Sequence, residues 1–251
     1  MGYNPFSLSD KRILVTGAGS GIGRAVAVEA SMLGATMVML DINPAALEET
    51  LSLLDGKERN HEILTVDLCD NAAIERLALQ VGKLDGLVNN VGIPNTKPLQ
   101  FVTSDDFDRV IGLNTKASMT LTNILYKKKN LNKGASIVFT SSLAGLYSFT
   151  PANGLYSMSK AALLSYSKSC AVEFASRKIR SNSVCPAMVN THLKATLSFS
   201  AEEYEKDIQK YPLRRYAEPD EIAHCIVFLL SDASSYVTGH ALIVDSGRSL
   251  K

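Results

Sequence analysis

The sequence has few of the features that mark metalloproteins, disulfide-rich proteins or nucleic-acid binders. Its four cysteines are scattered without a CxxC pair, which favours reduced, mostly buried thiols of a cytoplasmic protein over disulfides or zinc. Its four histidines show no HExxH or comparable ligand spacing, so we expect no metal site. The formal net charge is only +1, from 26 basic and 25 acidic residues, and this balance suggests no nucleic-acid or membrane-surface partner.

Long hydrophobic runs are missing as well. No apolar stretch approaches the roughly 20 residues that a membrane-spanning helix needs, and MGYNPFSLSD lacks a basic segment followed by an apolar one, so we expect no membrane span and no leader. What the chain does have is 251 residues of 46% hydrophobic composition, enough to bury a large core. Because no linker or composition break interrupts it, residues 1–251 are expected to form one domain.

A glycine-rich turn follows the first apolar run. Residues 12–16 suit a strand buried on both faces, TGAGSGIG occupies residues 16–23, and an apolar helix is expected from about Ile22 to Leu33. The N-terminal amides of this helix would face phosphates. The combination favours a dinucleotide site over a flexible loop. A tight turn and close approach to a pyrophosphate are permitted by Gly17, Gly21 and Gly23.

An acidic residue follows the second predicted strand. This strand, residues 36–40, ends at Asp41, close to the offset of about 20 residues at which a carboxylate binds the adenosine ribose hydroxyls. A carboxylate repels a 2′-phosphate, and no basic residue occurs in Ile42-Asn43-Pro44, so NAD is favoured over NADP. The alternative is that Asp41 caps the next helix, which Asn43 and Pro44 could do unaided.

Strands and helices alternate along the rest of the chain. This pattern predicts a parallel sheet with right-handed crossovers and with ligands at the carboxyl ends of its strands, where Asp67 and Asn89 would lie. Asn114 falls in the middle of a predicted helix, where asparagine is unfavourable. Two explanations are equally good: its amide has a function, or its side chain faces solvent. Further strands are expected at 63–66, 86–88, 134–140, 180–185 and 241–244, and helices at 72–81, 105–128, 156–178, 200–210 and 221–230.

Residues 141–160 place a hydroxyl, a phenol and an amine close together. Pro151 and Asn153-Gly154 break the segment, so a helix is expected to open at Tyr156, with Lys160 one turn later on the same face. The Lys160 ammonium would favour the Tyr156 phenolate, because a phenol with a pKa of about 10 is otherwise a weak acid-base group at neutral pH. Taken alone, the pair is more typical of an ordinary amphipathic helix.

With these pieces in order, the chain resembles the classical short-chain dehydrogenase/reductase family over nearly its whole length. The resemblance implies an α/β fold with a doubly wound Rossmann-type parallel sheet of seven strands, in the order 3-2-1-4-5-6-7. It also implies hydride transfer between a nicotinamide and a secondary alcohol or ketone, in a homotetramer or dimer. The matching pieces are TGAGSGIG at 16–23, Asp41, Asp67, NNVG at 89–92, Asn114, Ser142, YSMSK at 156–160, PAMVNT at 186–191 and YVTGHALIVDSG at 236–247.

The resemblance also assigns roles to individual residues. Tyr156 would be the general acid-base, Lys160 would lower its pKa and bind the nicotinamide ribose, and Ser142 would hold the substrate oxygen. Asn114 would support a water relay to Lys160. Cofactor contacts are implied for Gly17, Ser20, Gly21, Ile22, Gly23, Asp41, Asp67, Leu68, Asn89, Asn90, Gly92, Tyr156, Lys160, Pro186, Val189 and Thr191.

Some positions depart from the family pattern. The segment from Ser142 to Tyr156 is one residue longer than usual, which could move the substrate wall and leaves Ser141 as a rival for the serine role. The family has Ala, Gly and Gly where this chain has Val91, Ala187 and Ser246.

Three functions remain open from the sequence. The leading one is an NAD-dependent dehydrogenase or ketone reductase for a small polar molecule such as a sugar, polyol or hydroxy acid. It is favoured by Asp41 and by polar groups in a predicted substrate lid at 187–218, namely His192, Lys194 and Thr196. A second is a 3-oxoacyl-(acyl-carrier-protein) reductase with a basic landing patch for the carrier, formed by Lys127, Lys128, Lys129, Lys133, Arg177 and Lys178. A third is a catalytically idle dinucleotide-binding scaffold.

Overall fold

One parallel sheet organises the molecule. The structure, a computed structural model, describes residues 3–191 and 200–250, and its seven strands follow the order β3-β2-β1-β4-β5-β6-β7, which confirms the prediction. All neighbouring strands in this sheet run parallel. The strands are β1 Arg12–Thr16, β2 Thr36–Asp41, β3 Glu62–Thr65, β4 Leu84–Asn89, β5 Leu131–Thr140, β6 Arg180–Pro186 and β7 Ala241–Val244.

Helices cover both faces of the sheet. A π-helical segment, Gly112–Ala117, joins the fourth helix to the fifth without a break. The helices are α1 Gly21–Met32, α2 Pro44–Leu53, α3 Asn71–Gln80, α4 Ser104–Ile111, α5 Ser118–Lys127, α6 Gly154–Glu173, α7 Ala201–Ile208 and α8 Pro219–Leu230.

The alternation of side chains along β1 creates two cores. Ile13 and Val15 point to the face covered by α1 and α8, whereas Leu14 points to the face covered by α3, α5 and α6. All three side chains are fully buried. Because both faces of the strand need apolar cover, the run is continuously hydrophobic, as expected for a central strand of a parallel sheet.

Short polar side chains begin several helices. Asn43 caps α2, because its side-chain oxygen accepts a hydrogen bond from Ala46 N at 3.2 Å and Pro44 occupies the first turn. The predicted capping box of Ser200 and Glu203 is present in both directions at the start of α7.

The structure differs from several predicted boundaries, among them those of three helices and of β5, which begins at Leu131 rather than at residue 134. The predicted continuous helix 105–128 contains the π segment. Helix α6 begins at Gly154 rather than at Tyr156, and it ends at Glu173 because a 3-10 turn follows and Lys178 adopts a left-handed backbone with φ of 55°. The predicted helix 200–210 ends at Ile208.

The predicted substrate lid at 187–218 is only partly described. Its polar residues His192, Lys194 and Thr196 lie outside the described residues. The two flanks of the segment are joined by a parallel bridge between Val189 and Ala217, so they leave and rejoin the sheet side by side. No helix among the described residues is long and apolar enough to span a bilayer.

Candidate active site

The glycine-rich turn between β1 and α1 needs glycine at two positions. Gly17 adopts a left-handed backbone with φ of 66°, and a Cβ added to Gly23 would lie 2.0 Å from the Gly17 carbonyl oxygen. Ser20 precedes α1 without a side-chain capping bond, and its side chain is exposed. This backbone cradle at a helix N-terminus, with Ile22 in its first turn, fits a pyrophosphate.

Asp41 holds the glycine-rich turn and does not cap the next helix. Its two carboxylate oxygens accept hydrogen bonds from Gly19 N and Asn43 N, each at 3.0 Å. Asn43 is the N-cap of α2, so the alternative role considered for Asp41 is filled by another residue. Each carboxylate oxygen keeps a further lone pair with which to accept a ribose hydroxyl.

The end of β4 is fastened to the same turn. The Thr16 hydroxyl accepts hydrogen bonds from Asn90 N at 2.9 Å and Val91 N at 3.1 Å, and the Asn90 side chain donates to Thr16 O at 3.2 Å. Thr16 is also the first residue of the glycine motif, and this role was not predicted from the sequence. Its signal, a hydroxyl at the carboxyl end of the central strand, is visible in the sequence.

Not all predicted cofactor residues face the turn. Asn89 is 1% exposed and donates to the Thr122 hydroxyl of α5 at 3.0 Å, so its side chain points into the interior. Leu68 is packed in the core, whereas Asp67 is exposed and accepts from Cys69 N at 2.8 Å.

The end of β6 reaches the glycine turn from the other side. Thr191 lies beside Gly21, since a Cβ on that glycine would be 3.2 Å from the Thr191 methyl carbon. Pro186, the last residue of β6, is buried, and Val189 is fixed by its bridge to Ala217. The ends of β1, β2, β4 and β6 therefore converge at one edge of the sheet.

The Ser142 hydroxyl lies beside the Tyr156 phenol. The Ser142 hydroxyl oxygen accepts from Ala144 N at 3.2 Å, which orients the hydroxyl at the start of a 3-10 turn. Burial raises the pKa of Tyr156 above its ordinary value, while the nearby Ser142 hydroxyl acts in the opposite direction. Ser141, the rival serine, donates instead to the Lys160 carbonyl at 2.8 Å.

Lys160 is a buried amine one turn after Tyr156. Its side chain donates to Thr140 O at 2.8 Å, and the residue is 3% exposed. Burial lowers the pKa of Lys160 to about 8, which the nearby Cys185 partly opposes. Lys160 Nζ lies 5.8 Å from the Tyr156 ring centre. The causes of the Tyr156 pKa shift are burial and Ser142, and Lys160 is not among them. The lowering of the Tyr156 pKa by the Lys160 ammonium therefore stays a prediction.

Asn114 links three elements from inside the π segment. Its side-chain oxygen accepts from Ile93 N at 2.8 Å, and its nitrogen donates to Ile93 O and to the Ser159 hydroxyl, both at 3.0 Å. Ser159 in turn donates to Tyr156 O at 2.7 Å. Asn114 is fully buried, so the surface-facing interpretation is wrong and the amide has a structural partner on each side.

The departures from the family pattern are accommodated locally. Ser246 adopts the left-handed backbone that favours glycine, with φ of 56°, and its hydroxyl accepts from Leu213 N at 2.9 Å. Ala187 donates to Val244 O at 3.1 Å. The longer loop before α6 contains one non-glycine residue with a left-handed backbone, Ala152, with φ of 64°.

Comparisons with known proteins identify relatives of this chain. A family model described as enoyl-(acyl carrier protein) reductase matches residues 17–249. The 3-oxoacyl-(acyl-carrier-protein) reductase FabG of Thermotoga maritima is 33% identical over 244 residues, covering 96% of this chain and 98% of that protein. A proposed short-chain alcohol dehydrogenase of Sinorhizobium meliloti 1021 superimposes with a TM-score of 0.91 at 31% identity and covers 98% of both chains.

The chain belongs to the classical short-chain dehydrogenase/reductase family. Members of this family are NAD(P)-dependent oxidoreductases that act on CH–OH groups. A further family member, a proposed NAD(P)-dependent gluconate 5-dehydrogenase of Beutenbergia cavernae with bound NADP at low occupancy, has a TM-score of 0.91 at 30% identity and covers 99% of this chain and 100% of its own.

Proposed function

We propose that this protein transfers a hydride between NAD and a secondary alcohol or ketone of a small polar substrate, such as a sugar, polyol or hydroxy acid. The observation that carries the proposal is the position of the Ser142 hydroxyl beside the Tyr156 phenol, with the buried Lys160 amine 5.8 Å from the Tyr156 ring centre. Asn114 supports Tyr156 from the neighbouring π segment, through the Ser159 hydroxyl. These are the four residues that the family resemblance implicates in catalysis.

The reaction would use the two hydroxyl groups as donors to one oxygen. During reduction, negative charge develops on the substrate carbonyl oxygen, which Ser142 and Tyr156 would stabilise by hydrogen bonds. Tyr156 would then give its proton to that oxygen, and during oxidation it would take the proton back. The nicotinamide supplies or accepts the hydride when bound. The Lys160 ammonium would favour the phenolate by attraction of opposite charge.

Asn114 would help the proton to leave the buried site. Because residue 92 is glycine, there is space between the side chains of Lys160 and Asn114. A Cβ at this position would lie 3.1 Å from Lys160 Nζ and 3.3 Å from the Asn114 side-chain oxygen. A water relay between solvent and Lys160 would pass through such a space, with the Asn114 amide fixing its walls.

The cofactor would be held along the converging strand ends. The glycine turn and the α1 N-terminus suit the pyrophosphate, and the Asp41 carboxylate suits the adenosine ribose and repels a 2′-phosphate. This is the basis for proposing NAD, although the Beutenbergia cavernae relative was crystallised with NADP. The contacting residues would be Gly17, Ser20, Gly21, Ile22, Gly23, Asp41, Asp67, Leu68, Asn90, Gly92, Tyr156, Lys160, Pro186, Val189 and Thr191, with Asn89 acting from the interior.

The relatives suggest two substrate classes. Similarity to a proposed gluconate 5-dehydrogenase favours a polyhydroxylated acid or sugar. The second candidate, a 3-oxoacyl-(acyl-carrier-protein) reductase, is favoured by the similarity to FabG. To bind an acidic carrier protein, the basic side chains of the patch would have to be available at the surface. Arg177 is instead engaged within the protein, because it donates to Leu131 O and lies over the Tyr126 ring. We also propose a cytoplasmic homotetramer or dimer, formed through α4, α5, α6 and the last helix and strand.

A substrate panel tests this proposal. The purified protein is assayed by nicotinamide absorbance with polyols, sugars, hydroxy acids and simple secondary alcohols, and with acetoacetyl thioesters, each with NAD(H) and NADP(H). We expect oxidation of at least one polyhydroxylated substrate with NAD, because Asp41 disfavours the 2′-phosphate. Reduction of the thioester with NADPH, without any polyol oxidation, would favour the carrier-protein reductase instead. No turnover of any substrate would favour the idle scaffold.

A further inference from the structure

The Arg24 side chain, near the N-terminus of α1, reaches back to the glycine-rich turn. Its Nε and Nη2 atoms donate to the Gly19 carbonyl oxygen at 3.1 and 2.6 Å. Its Nη1 and Nη2 atoms also donate to the two carboxylate oxygens of Glu49, in α2, at 2.6 and 2.7 Å. The planar guanidinium thus holds a carbonyl of the turn and a side chain of the neighbouring helix at the same time.

Thr50, the residue after Glu49, contacts the preceding carbonyl of the turn. Its hydroxyl lies 3.0 Å from both Ala18 O and Ala46 O, so these carbonyls share its single proton. The same hydroxyl accepts from Arg24 Nε at 3.1 Å, and Thr50 is fully buried. The carbonyls of two successive residues of the turn are therefore bound from α2 and from Arg24.

The amide side of Gly19 is held as well. Gly19 N donates to Asp41 Oδ2 at 3.0 Å. A Cβ on Gly19 would lie 2.8 Å from Ala46 Cβ and 2.9 Å from Asp41 Oδ2, so the turn packs directly against both residues. Arg24 therefore binds the carbonyl of the same residue whose amide binds the carboxylate proposed for the adenosine ribose.

These contacts restrict a segment that would otherwise be flexible. Three of the five residues 17–21 are glycine, which has more backbone freedom than any other residue. When a ligand binds to a flexible turn, the turn must be ordered, and that ordering lowers the affinity. A charged donor on the Gly19 carbonyl reduces this cost, because the turn is already ordered in the free protein.

We propose that Arg24 is a positioning residue for the dinucleotide. It holds Gly19, and through Gly19 the Asp41 carboxylate, in the arrangement that binds the adenosine and pyrophosphate half of the cofactor. Removal of the guanidinium weakens cofactor binding but leaves the hydride transfer step unchanged, because the catalytic residues lie on other elements. The inference rests on the proposed cofactor site, and it does not depend on the identity of the substrate.

The test measures the binding of two probes to Arg24→Met and to wild type. NADH is the whole cofactor, whereas ADP contains only the adenosine and pyrophosphate half. We expect the Kd of NADH, from fluorescence titration, and the Kd of ADP, from calorimetry, each to rise by about tenfold or more. At saturating NADH, kcat for the best ketone of the substrate panel should stay within about twofold of wild type.

Two further variants separate the bond to Gly19 from the ion pair. Glu49→Gln is the matched control, because it removes the ion pair and leaves the Arg24 donors to Gly19 O in place. Its Kd values should change by less than about twofold. Arg24→Lys keeps the charge but lacks the planar fork, so its Kd values should lie between those of wild type and Arg24→Met. Should Arg24→Met not fold, Arg24→Lys must still bind both probes more weakly than wild type.

Amide hydrogen exchange separates positioning from direct contact with the cofactor. In the cofactor-free proteins, the amides of residues 17–20 should exchange faster in Arg24→Met than in wild type, because the bond from Gly19 N to Asp41 opens more often. Weaker binding without faster exchange would overturn the positioning role. So would unchanged Kd values, or an equal rise in Glu49→Gln, although the proposed cofactor site would then stand. A wild-type protein that binds neither NADH nor ADP would overturn both.

Discussion

Lys160 is a buried amine that packs against the end of β5. Its only side-chain hydrogen bond in the described residues is to the Thr140 carbonyl, and burial lowers its pKa from 10.5 to about 8. A lysine close to its titration point near neutral pH can respond to a proton on Tyr156 or in a water relay. The same burial has a cost for stability, because folding must remove the ammonium from water.

This cost predicts a pH dependence of stability. Because the folded-state pKa lies below the ordinary value, the unfolded chain holds more protons between about pH 8 and 10.5, and the contribution of Lys160 to the free energy of unfolding rises across that window. Lys160→Met lacks this contribution. The free energy of unfolding of Lys160→Met minus that of wild type should therefore fall by up to about 3 kcal/mol from pH 8 to pH 10.5. Urea titrations of the cofactor-free proteins measure it, and a constant difference would contradict the assigned pKa.

At the scale of elements, sequence patterns predicted which strands and helices are present, but not the irregular backbone inside one of the helices. β1 and β7 have the predicted bounds, since apolar runs between turn residues identify buried strands. The π segment was not predicted, because one additional residue in a helical turn leaves the apolar spacing almost unchanged. Only Asn114, a poor residue for a helix interior, indicated that something was unusual there.

The attachment of α8 to β6 also escaped sequence analysis. The Arg180 guanidinium donates to Leu229 O at 2.9 Å, to Ser231 O at 3.1 Å and to the Ser234 hydroxyl at 2.9 Å. These partners follow Arg180 by about fifty residues, so no local pattern reveals them. The guanidinium is the charged donor among several to these carbonyls, because the Ser136 and Ser234 hydroxyls also donate to Leu229 O.

Arg180→Met should lower the free energy of unfolding by about 2–4 kcal/mol, because these carbonyls lose a charged donor. Arg76→Met is the matched control, since Arg76 is 64% exposed and its single ion pair with Asp70 spans 3.5 Å. The control should change stability by less than about 0.5 kcal/mol. Urea unfolding of both variants measures the difference, and equal effects would show that Arg180 does not anchor α8.

For the whole molecule, the strand order decides where chemistry can occur. β1 lies between β2 and β4, so the glycine turn, Asp41 and the residues that follow β4 reach one edge of the sheet. The alternation of strands and helices predicted this edge from sequence. The alternation did not predict which side chains face this edge. Asn89 points inward and donates to Thr122, the Thr16 hydroxyl accepts from Asn90 N, and the buried Asn95 side-chain oxygen has no hydrogen-bond partner. Those outcomes depend on contacts between distant segments.

The central claim is that Tyr156 exchanges the proton during hydride transfer. Tyr156→Phe removes only the hydroxyl, so the Kd of NADH, measured by fluorescence titration, should stay within about threefold of wild type. With the best alcohol of the substrate panel, kcat should fall by about 100- to 10,000-fold. Cofactor binding retained with turnover lost is the predicted result. Turnover close to that of wild type would contradict the assignment of Tyr156 and the mechanism built on it.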